Sequence, residues 1–277
     1  MPSKVFLIGN GESRKGFDLN KLKPHGKIYG CNALYRDFTP DVLIAVDHGI
    51  MHEIYHSGYA YSNETWYRDW TRIPDYMYDN LVYAGLSKID IEKTKKWDVV
   101  KVNERTDEKE FVMHGANLSG LVTILHEDNS KSKKNINSNQ LFVSWVKNND
   151  KAHNINDLND GKDLTWNSGP SSGFVAIELE KPKEVYLIGH DLFSNTDKVN
   201  NVYKNTKHYG TSEATPAKPD WVDEWRLLFD MSINTHFYKV NTEVNGKDKI
   251  NQEVEEWKDC NNIEYIDYKT LDKHLGI

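Results

Sequence analysis

The sequence predicts an α/β protein built on a mainly parallel sheet with helices on both faces, and three observations carry that prediction. The first is the opening stretch. Residues 5–8 form an unbroken apolar run of strand length, and Gly9-Asn10-Gly11 ends it with residues that tolerate close backbone approach. The second is recurrence. Residues 27–30 are a second short strand-like run ending at Cys31-Asn32, and residues 41–46 are a third ending at Asp47-His48-Gly49, with 18 and then 10 residues between successive runs. The third lies far downstream, where residues 185–188 form another buried run that ends in Gly189-His190-Asp191. Short apolar strands that each end in Asn or Asp suit a parallel sheet whose carboxyl edges converge on one crevice, where open α/β sheets bind ligands.

The chain has 277 residues, which suits one large domain carrying an excursion better than two equal domains. We expect a single Rossmann-like nucleotide-binding domain over residues 1–277, an excursion at about 60–165 and a polar lid at about 195–218. A net charge of −7 gives no global attraction to nucleic acid or to an anionic membrane. Mean hydropathy is low at −0.72, yet 12% aromatic residues and 8 Trp are not the composition of a disordered chain. The start of the chain lacks a basic-then-apolar signal pattern. No apolar run approaches the roughly 20 residues that span a bilayer, so a cytoplasmic protein without a membrane span is expected. Two cysteines, Cys31 and Cys260, supply neither a disulfide framework nor a cysteine zinc site. Cys31 reads as a small buried filler.

Taken in order, Glu12-Ser13 reads as a helix start whose N–H groups face an anion at the glycine turn. Residues 50–55 read as a helix covering the third strand. His52-Glu53-Ile54-Tyr55-His56 has the spacing of a zincin motif, but that site needs a sustained helix and a third ligand, and Ser57-Gly58 ends the pattern. Residues 59–80 are crowded with Tyr and Trp, which fit packing better than ligand stacking. Apolar runs at 81–83, 99–102, 121–125 and 141–146 alternate with polar interludes. The stretch 128–139, including the basic run 131–134, reads as an exposed loop. Ser171, Ser172 or Gly173 is expected to start a helix whose small residues let a phosphate approach its N–H groups. Residues 194–219 are polar and too long for an ordinary connection, as active-site lids are. An amphipathic helix opens at Pro219 or Asp220 with Trp221, Trp225, Leu228 and Phe229 on one face. Then come a strand at 236–240, a helix at 252–257, a strand at 263–266 and a closing helix at 268–275.

The motifs Gly9-Asn10-Gly11-Glu12-Ser13, Cys31-Asn32, Ser171-Ser172-Gly173, the run from Lys183 to Asp191, a polar lid with Tyr and His, and Val240-Asn241 follow one another in this order. The order resembles that of bacterial sialyltransferases of glycosyltransferase family 42. It is also similar to the wider group of motility accessory factors and hydroxymethylpterin diphosphokinases. The resemblance covers both ends of the chain and leaves about residues 60–165 unmatched. It implies a metal-independent glycosyltransferase that needs no cofactor, takes a sugar from a nucleotide-activated donor and passes it to a hydroxyl acceptor, expected to be a glycan. By the same resemblance Gly9, Asn10, Gly11, Asn32, Asp47, Ser171, Ser172, Gly173 and Asp191 form the substrate pocket. His208 is then the base that activates the acceptor, and Tyr203 and Tyr209 hydrogen-bond the departing phosphate. Three positions depart from the family pattern: Gly169-Pro170 stands where an arginine is expected, Phe193 replaces a tyrosine, and Asp47 replaces an asparagine.

Two other functions stay open. One is pyrophosphoryl transfer from ATP, with Asp47 and Asp191 holding Mg²⁺. The other is a catalytically silent nucleotide-binding module. A nucleic-acid acceptor and a homo-oligomer also stay open.

Overall fold

The computed structural model describes residues 4–77, 98–101, 107–114, 117–125, 131–137, 140–159, 165–215 and 220–277. The strands in chain order are β1 (Lys4–Ile8), β2 (Lys27–Cys31), β3 (Val42–Ala45), β4 (Glu64–Tyr67), β5 (Arg72–Pro74), β6 (Asp98–Lys101) and β7 (Glu110–His114). They continue with β8 (Asn117–Leu125), β9 (Lys131–Asn137), β10 (Gln140–Val146), β11 (Ala152–Asn154), β12 (Glu184–Ile188), β13 (His236–Asn241) and β14 (Ile263–Asp267). The helices are α1 (His48–His56), α2 (Tyr59–Ser62), α3 (Ser168–Glu180), α4 (Trp221–Met231) and α5 (Tyr268–Leu275).

Eight strands form the main sheet in the order β11-β4-β3-β2-β1-β12-β13-β14, and every pairing is parallel. Strands covered on both faces read as continuous apolar runs, and β1 accordingly buries Val5, Phe6, Leu7 and Ile8 completely. Period-two alternation sends Phe6, Ile8, Ile28, Leu43, Tyr186 and Ile188 to the face carrying α1 and α5. Val5, Leu7, Ile44, Val185 and Leu187 point to the other face, against α3 and α4 through Phe174, Trp225, Leu228 and Phe229. Helices therefore cover both faces, as the sequence predicts.

After β1 the sheet is built outward to β4, and after α3 the chain re-enters on the other side of β1 with β12. The connections leaving β1 and β12 diverge, and a crevice opens at their carboxyl ends. This reversal is the feature that positions the candidate site.

Within the expected excursion, β4 and β11 at its two ends belong to the main sheet. Between them lie a four-stranded sheet, β5-β7-β10-β6, and the hairpin β8-β9. The four-stranded sheet docks on α1: Val112 and Val146 share a core with Ile54, Tyr55 and Trp70. Tyr55 Oη donates to Asp150 at 2.5 Å and accepts from the Lys147 N–H, while Arg72 pairs with Asp150.

Four local expectations change. Glu12–Arg14 is one 3-10 turn rather than a helix, so no helix dipole accumulates there. Glu255–Trp257 is likewise a single 3-10 turn. Lys131–Asn137 is a strand whose partner β8 supplies the ladder bonds that its polar sequence does not advertise. Helix α3 begins at Ser168, not at Ser171, because Pro170 falls in the first turn, where its missing N–H is not needed. The apolar run at 81–83 lies outside the described residues.

Candidate functional site

At the crevice between β1 and β12 is an open cleft of about 150 Å³. Its walls come from five segments: the turn Gly9-Asn10-Gly11, the end of β2 at Cys31-Asn32, Asp47 after β3, the start of α3, and Gly189-His190-Asp191-Leu192 after β12. The segment expected to be a lid adds Asn200 and Asn201, and α4 adds Trp221 and Trp225. Five asparagines, 10, 32, 167, 200 and 201, thus face one space. Amide groups both donate and accept, which suits hydroxyls and heterocycle edges.

The two glycine turns interlock. The Gly9 N–H donates to Ile188 O and the Gly11 N–H to Gly189 O, both at 2.8 Å. A Cβ at Gly9 would stand 2.4 Å from the Gly189 carbonyl oxygen, and one at Gly11 would stand 2.4 Å from Asp191 Cγ. Glycine is required at these positions by close approach. Asp191 accepts from the Ser13 N–H at 2.9 Å, from Ser13 Oγ, and from Asn200 Nδ2 at 3.0 Å. Its carboxylate is a clamp between the two strand ends. The Glu12 N–H donates to Asn200 Oδ1 at 2.7 Å. The N–H groups of Gly9, Gly11, Glu12 and Ser13, expected to face a ligand, are therefore bonded within the protein.

Other lining groups are held from below. Asn10 Nδ2 donates to Cys31 O at 3.0 Å. Asn32 adopts a left-handed conformation, φ 52°, and its Oδ1 accepts from Ser168 Oγ at 2.9 Å. Glu224 of α4 accepts from both the backbone N–H and the side-chain amide of Asn167, fixing the start of α3, and burial raises the pKa of its carboxyl. His190 packs edge-on against Trp225; burial, then the nearby Lys239 cation, push its imidazole down to about 3. It is a neutral floor to the cleft. Cys31 is buried, and burial pushes its thiol up to about 12, so it stays protonated.

Asp47 differs from the other acids. It is exposed, it makes no capping bond to α1, and its concave setting raises its pKa by desolvation, partly offset by Arg68. It is the accessible carboxylate of the cleft.

Of the residues singled out in the sequence, Gly9, Asn10, Gly11, Asn32, Asp47 and Asp191 meet around this cleft. Ser171, Ser172 and Gly173 do not line it. They sit one turn into α3, where Ser171 Oγ donates to Trp166 O, Ser172 Oγ donates to Gly169 O, and a Cβ at Gly173 would stand 2.4 Å from Leu228. Their small size permits α3 to pack on α4. Asn167, Ser168, Gly169 and Pro170 take the place assigned to them.

Tyr203, His208 and Tyr209 are not among the lining residues; they fasten the segment expected to be a lid. Tyr203 is 7% exposed, donates to Asp37 and accepts from Arg14 Nη2 at 3.0 Å. Tyr209 Oη accepts from the Ala33 N–H at 3.2 Å. His208 Nε2 lies 3.4 Å from Glu53 Oε2, and its pKa is lowered by burial, with Glu53 opposing. Glu53 also binds Tyr35 and Arg36, and Arg36 reaches Thr206 and the Lys207 carbonyl of the lid. The zincin-like glutamate is thus a latch for the lid. Its two histidines instead share Ser144 Oγ of β10, at 3.2 and 3.3 Å.

The sequence reading missed the start of α3, Asn200, Asn201, Trp221 and Trp225 as lining residues, while His190 lies at the strand end it placed on the crevice. Only the first carried a local signal, Asn167 followed by Pro170, which marks a helix N-terminus.

Among the described residues no helix is long and apolar enough to cross a membrane. Comparison of the chain with protein-family models, with curated proteins and with solved structures returns no match.

Proposed function

We propose that the protein is a glycosyltransferase that moves a sugar from a nucleotide-activated donor to a hydroxyl acceptor, with Asp47 as the base. The observation that carries this reading is the cleft itself: it lies where an open parallel sheet binds nucleotides, it is lined by five amides, and it holds one accessible carboxylate. The acceptor oxygen attacks the anomeric carbon, its proton passes to the Asp47 carboxylate, and the bond to the donor phosphate breaks with its electron pair leaving on the nucleotide. The raised pKa of Asp47 makes it a stronger base than a surface carboxylate. This role replaces the one the resemblance implies for His208, whose ring is held on Glu53.

Pyrophosphoryl transfer through Mg²⁺ on Asp47 and Asp191 would require Asp191 to give up its bonds to Ser13 and Asn200, so we favour glycosyl transfer. A ligand of nucleotide-sugar size exceeds the present cleft, since such pockets run to about 300 Å³ or more. Binding therefore moves the lid.

The test is a thermal-shift screen of nucleotides and nucleotide sugars, followed by kinetics on Asp47→Asn. A bound donor raises the melting temperature. Asp47→Asn is expected to lower turnover by about 10² to 10⁴ while changing donor affinity no more than a few-fold. Activity should fall on acidification at a higher pH than for an ordinary carboxylate base, because protonated Asp47 cannot accept the acceptor's proton. A screen in which no nucleotide or nucleotide sugar stabilises the protein refutes the reading.

A further inference from the structure

Among the described residues the lining of the cleft contains no lysine or arginine, and the N–H groups of Gly9, Gly11, Glu12 and Ser13 are spent. Beyond the N–H groups at the start of α3, a bound phosphate must therefore find its counter-charge behind the walls. Arg14 and Arg68 stand near them but are tied to the Tyr203 hydroxyl and the Trp166 carbonyl, and Lys239 is buried more deeply than Arg14. Lys239 lies on β13 in register with Leu187 of β12 and Tyr265 of β14, two residues after Phe237 and so on the face covered by α3 and α4. It is 3% exposed, its Nζ lies 5.9 Å from the Tyr265 ring centre, and it donates to Asn241 Oδ1 at 2.5 Å. Asn241 ends β13, so this bond draws the ammonium toward the carboxyl edge of the sheet. The adjacent strand delivers His190 and Asp191 to that same edge.

Among the described residues no carboxylate lies within ion-pair distance of Lys239. Asp191 acts on it only from farther away, and is itself occupied by Ser13 and Asn200. A buried ammonium without a close partner is costly to keep. We propose that Lys239 is the counter-cation of the cleft, a buried ammonium that balances the phosphate of an anionic ligand seated above His190. The choice of a nucleotide phosphate rests on the reading given above; the pairing of this cation with a bound anion does not.

The groups facing Lys239 are Asp191, His190 and Tyr265. Burial pushes Lys239 down to about 8, holds His190 near about 3 and pushes Tyr265 up to about 12. Neither ring changes charge close to pH 8, so a titration there belongs to the lysine. A bound anion favours the ammonium and raises the lysine pKa, and by linkage the anion is held less tightly once pH rises above the free value.

The experiment is a pH titration of the full chain carrying ¹³C-labelled lysine, with the Lys239 Cε signal identified by its absence from Lys239→Arg. It is run alone and with excess inorganic pyrophosphate. Lys239 is expected to titrate near the lowered value in the free protein and about one unit higher with pyrophosphate, with affinity falling about ten-fold across that interval. In calorimetry, Lys239→Met should bind nucleoside monophosphates about ten-fold more weakly than the parent does and bind the matching nucleosides equally well. A Lys239 titration that excess pyrophosphate leaves unmoved overturns the proposal, and this measurement needs no Lys239→Met protein. If pyrophosphate moves Lys239 but no nucleotide binds, the nucleotide reading falls and the counter-cation stands.

Discussion

Alanine at Gly9 and at Gly11 adds the same methyl group to the same turn, yet the structure predicts two different failures. At Gly9 the new Cβ would lie 2.4 Å from the carbonyl oxygen of Gly189, and the Gly9 N–H is bonded to Ile188. Both obstacles are backbone, so β1 and β12 must separate at their carboxyl ends. Overpacking costs about 1 to 3 kcal/mol and a weakened backbone bond about 1 more, which puts Gly9→Ala near 2 to 4 kcal/mol. At Gly11 the new Cβ would meet the Asp191 side chain, whose carboxylate at 2.4 Å can rotate away while its Cβ at 2.7 Å must shift. Rotation breaks its bonds to Ser13 and Asn200, and charged hydrogen bonds are worth about 1.5 to 3 kcal/mol each. The totals overlap, so total stability cannot separate the two mechanisms. A double-mutant cycle in urea with Asp191→Ala can. Removing the carboxylate takes away the Cγ contact and the hydrogen bonds that rotation would break, leaving only the Asp191 Cβ at 2.7 Å, and it does nothing for the Gly9 clash. Gly11→Ala should therefore couple to Asp191→Ala by about 1 kcal/mol or more, while Gly9→Ala adds to it within about 0.5 kcal/mol. Equal coupling for both glycines would refute the assignment of side-chain contact to one and backbone contact to the other.

Two further outcomes follow from buried partners. Glu53→Gln removes the charge that holds Tyr35, Arg36 and His208; a loss of about 1.5 kcal/mol in lid anchoring raises the open population about ten-fold, read as faster limited proteolysis within residues 194–215. Unchanged cleavage would remove Glu53 as the latch. His52 is buried on Ser144, and burial and then the neighbouring His56 push its imidazole down to about 3. The unfolded chain takes up that proton near pH 6.5, so this contribution to stability is complete above about 6.5 and declines as pH falls toward 3. Chemical denaturation across that range should show a shallower decline for His52→Asn than for the parent.

The strands were legible because a parallel strand buried on both faces must be apolar throughout, and the runs at β1, β2, β3 and β12 are. The residues at their ends were legible for the same reason, since parallel strands deliver every carboxyl terminus to one side. The rest depends on partners distant in sequence. Strand β9 is polar and is defined by pairing with β8. The segment expected to be a lid reads as polar, but Val202, Tyr203 and Tyr209 pack against the core. Nothing near His208 in sequence announces Glu53, and nothing near Asp191 announces Ser13. Tyr203, His208 and Tyr209, to which the resemblance implies chemistry, are bonded here to Arg14, Asp37, Ala33 and Glu53, partners that no nearby sequence signals.

These fastenings bear on how a ligand enters. Asn200 joins three parts at once: its Oδ1 takes the Glu12 N–H, its Nδ2 reaches Asp191, and its backbone belongs to the lid. Two residues on, the Val202 N–H donates to the Asn10 carbonyl at 2.8 Å. Residues 200–202 are therefore bonded to the groups that form the cleft wall. A ligand that lifts the lid breaks these bonds, and the binding energy must first offset them. The Glu53 contacts lie farther along the lid and hold its second half on Arg36. Opening at Asn200 while the latch at Glu53 holds would make the segment between them the hinge, with residues 203–206 resting on Arg14, Asp37 and Arg36. Asp191 would then lose one of its donors when the lid lifts and keep the two from Ser13, so the strand-end clamp survives opening and the walls of the cleft stay in register for the incoming ligand.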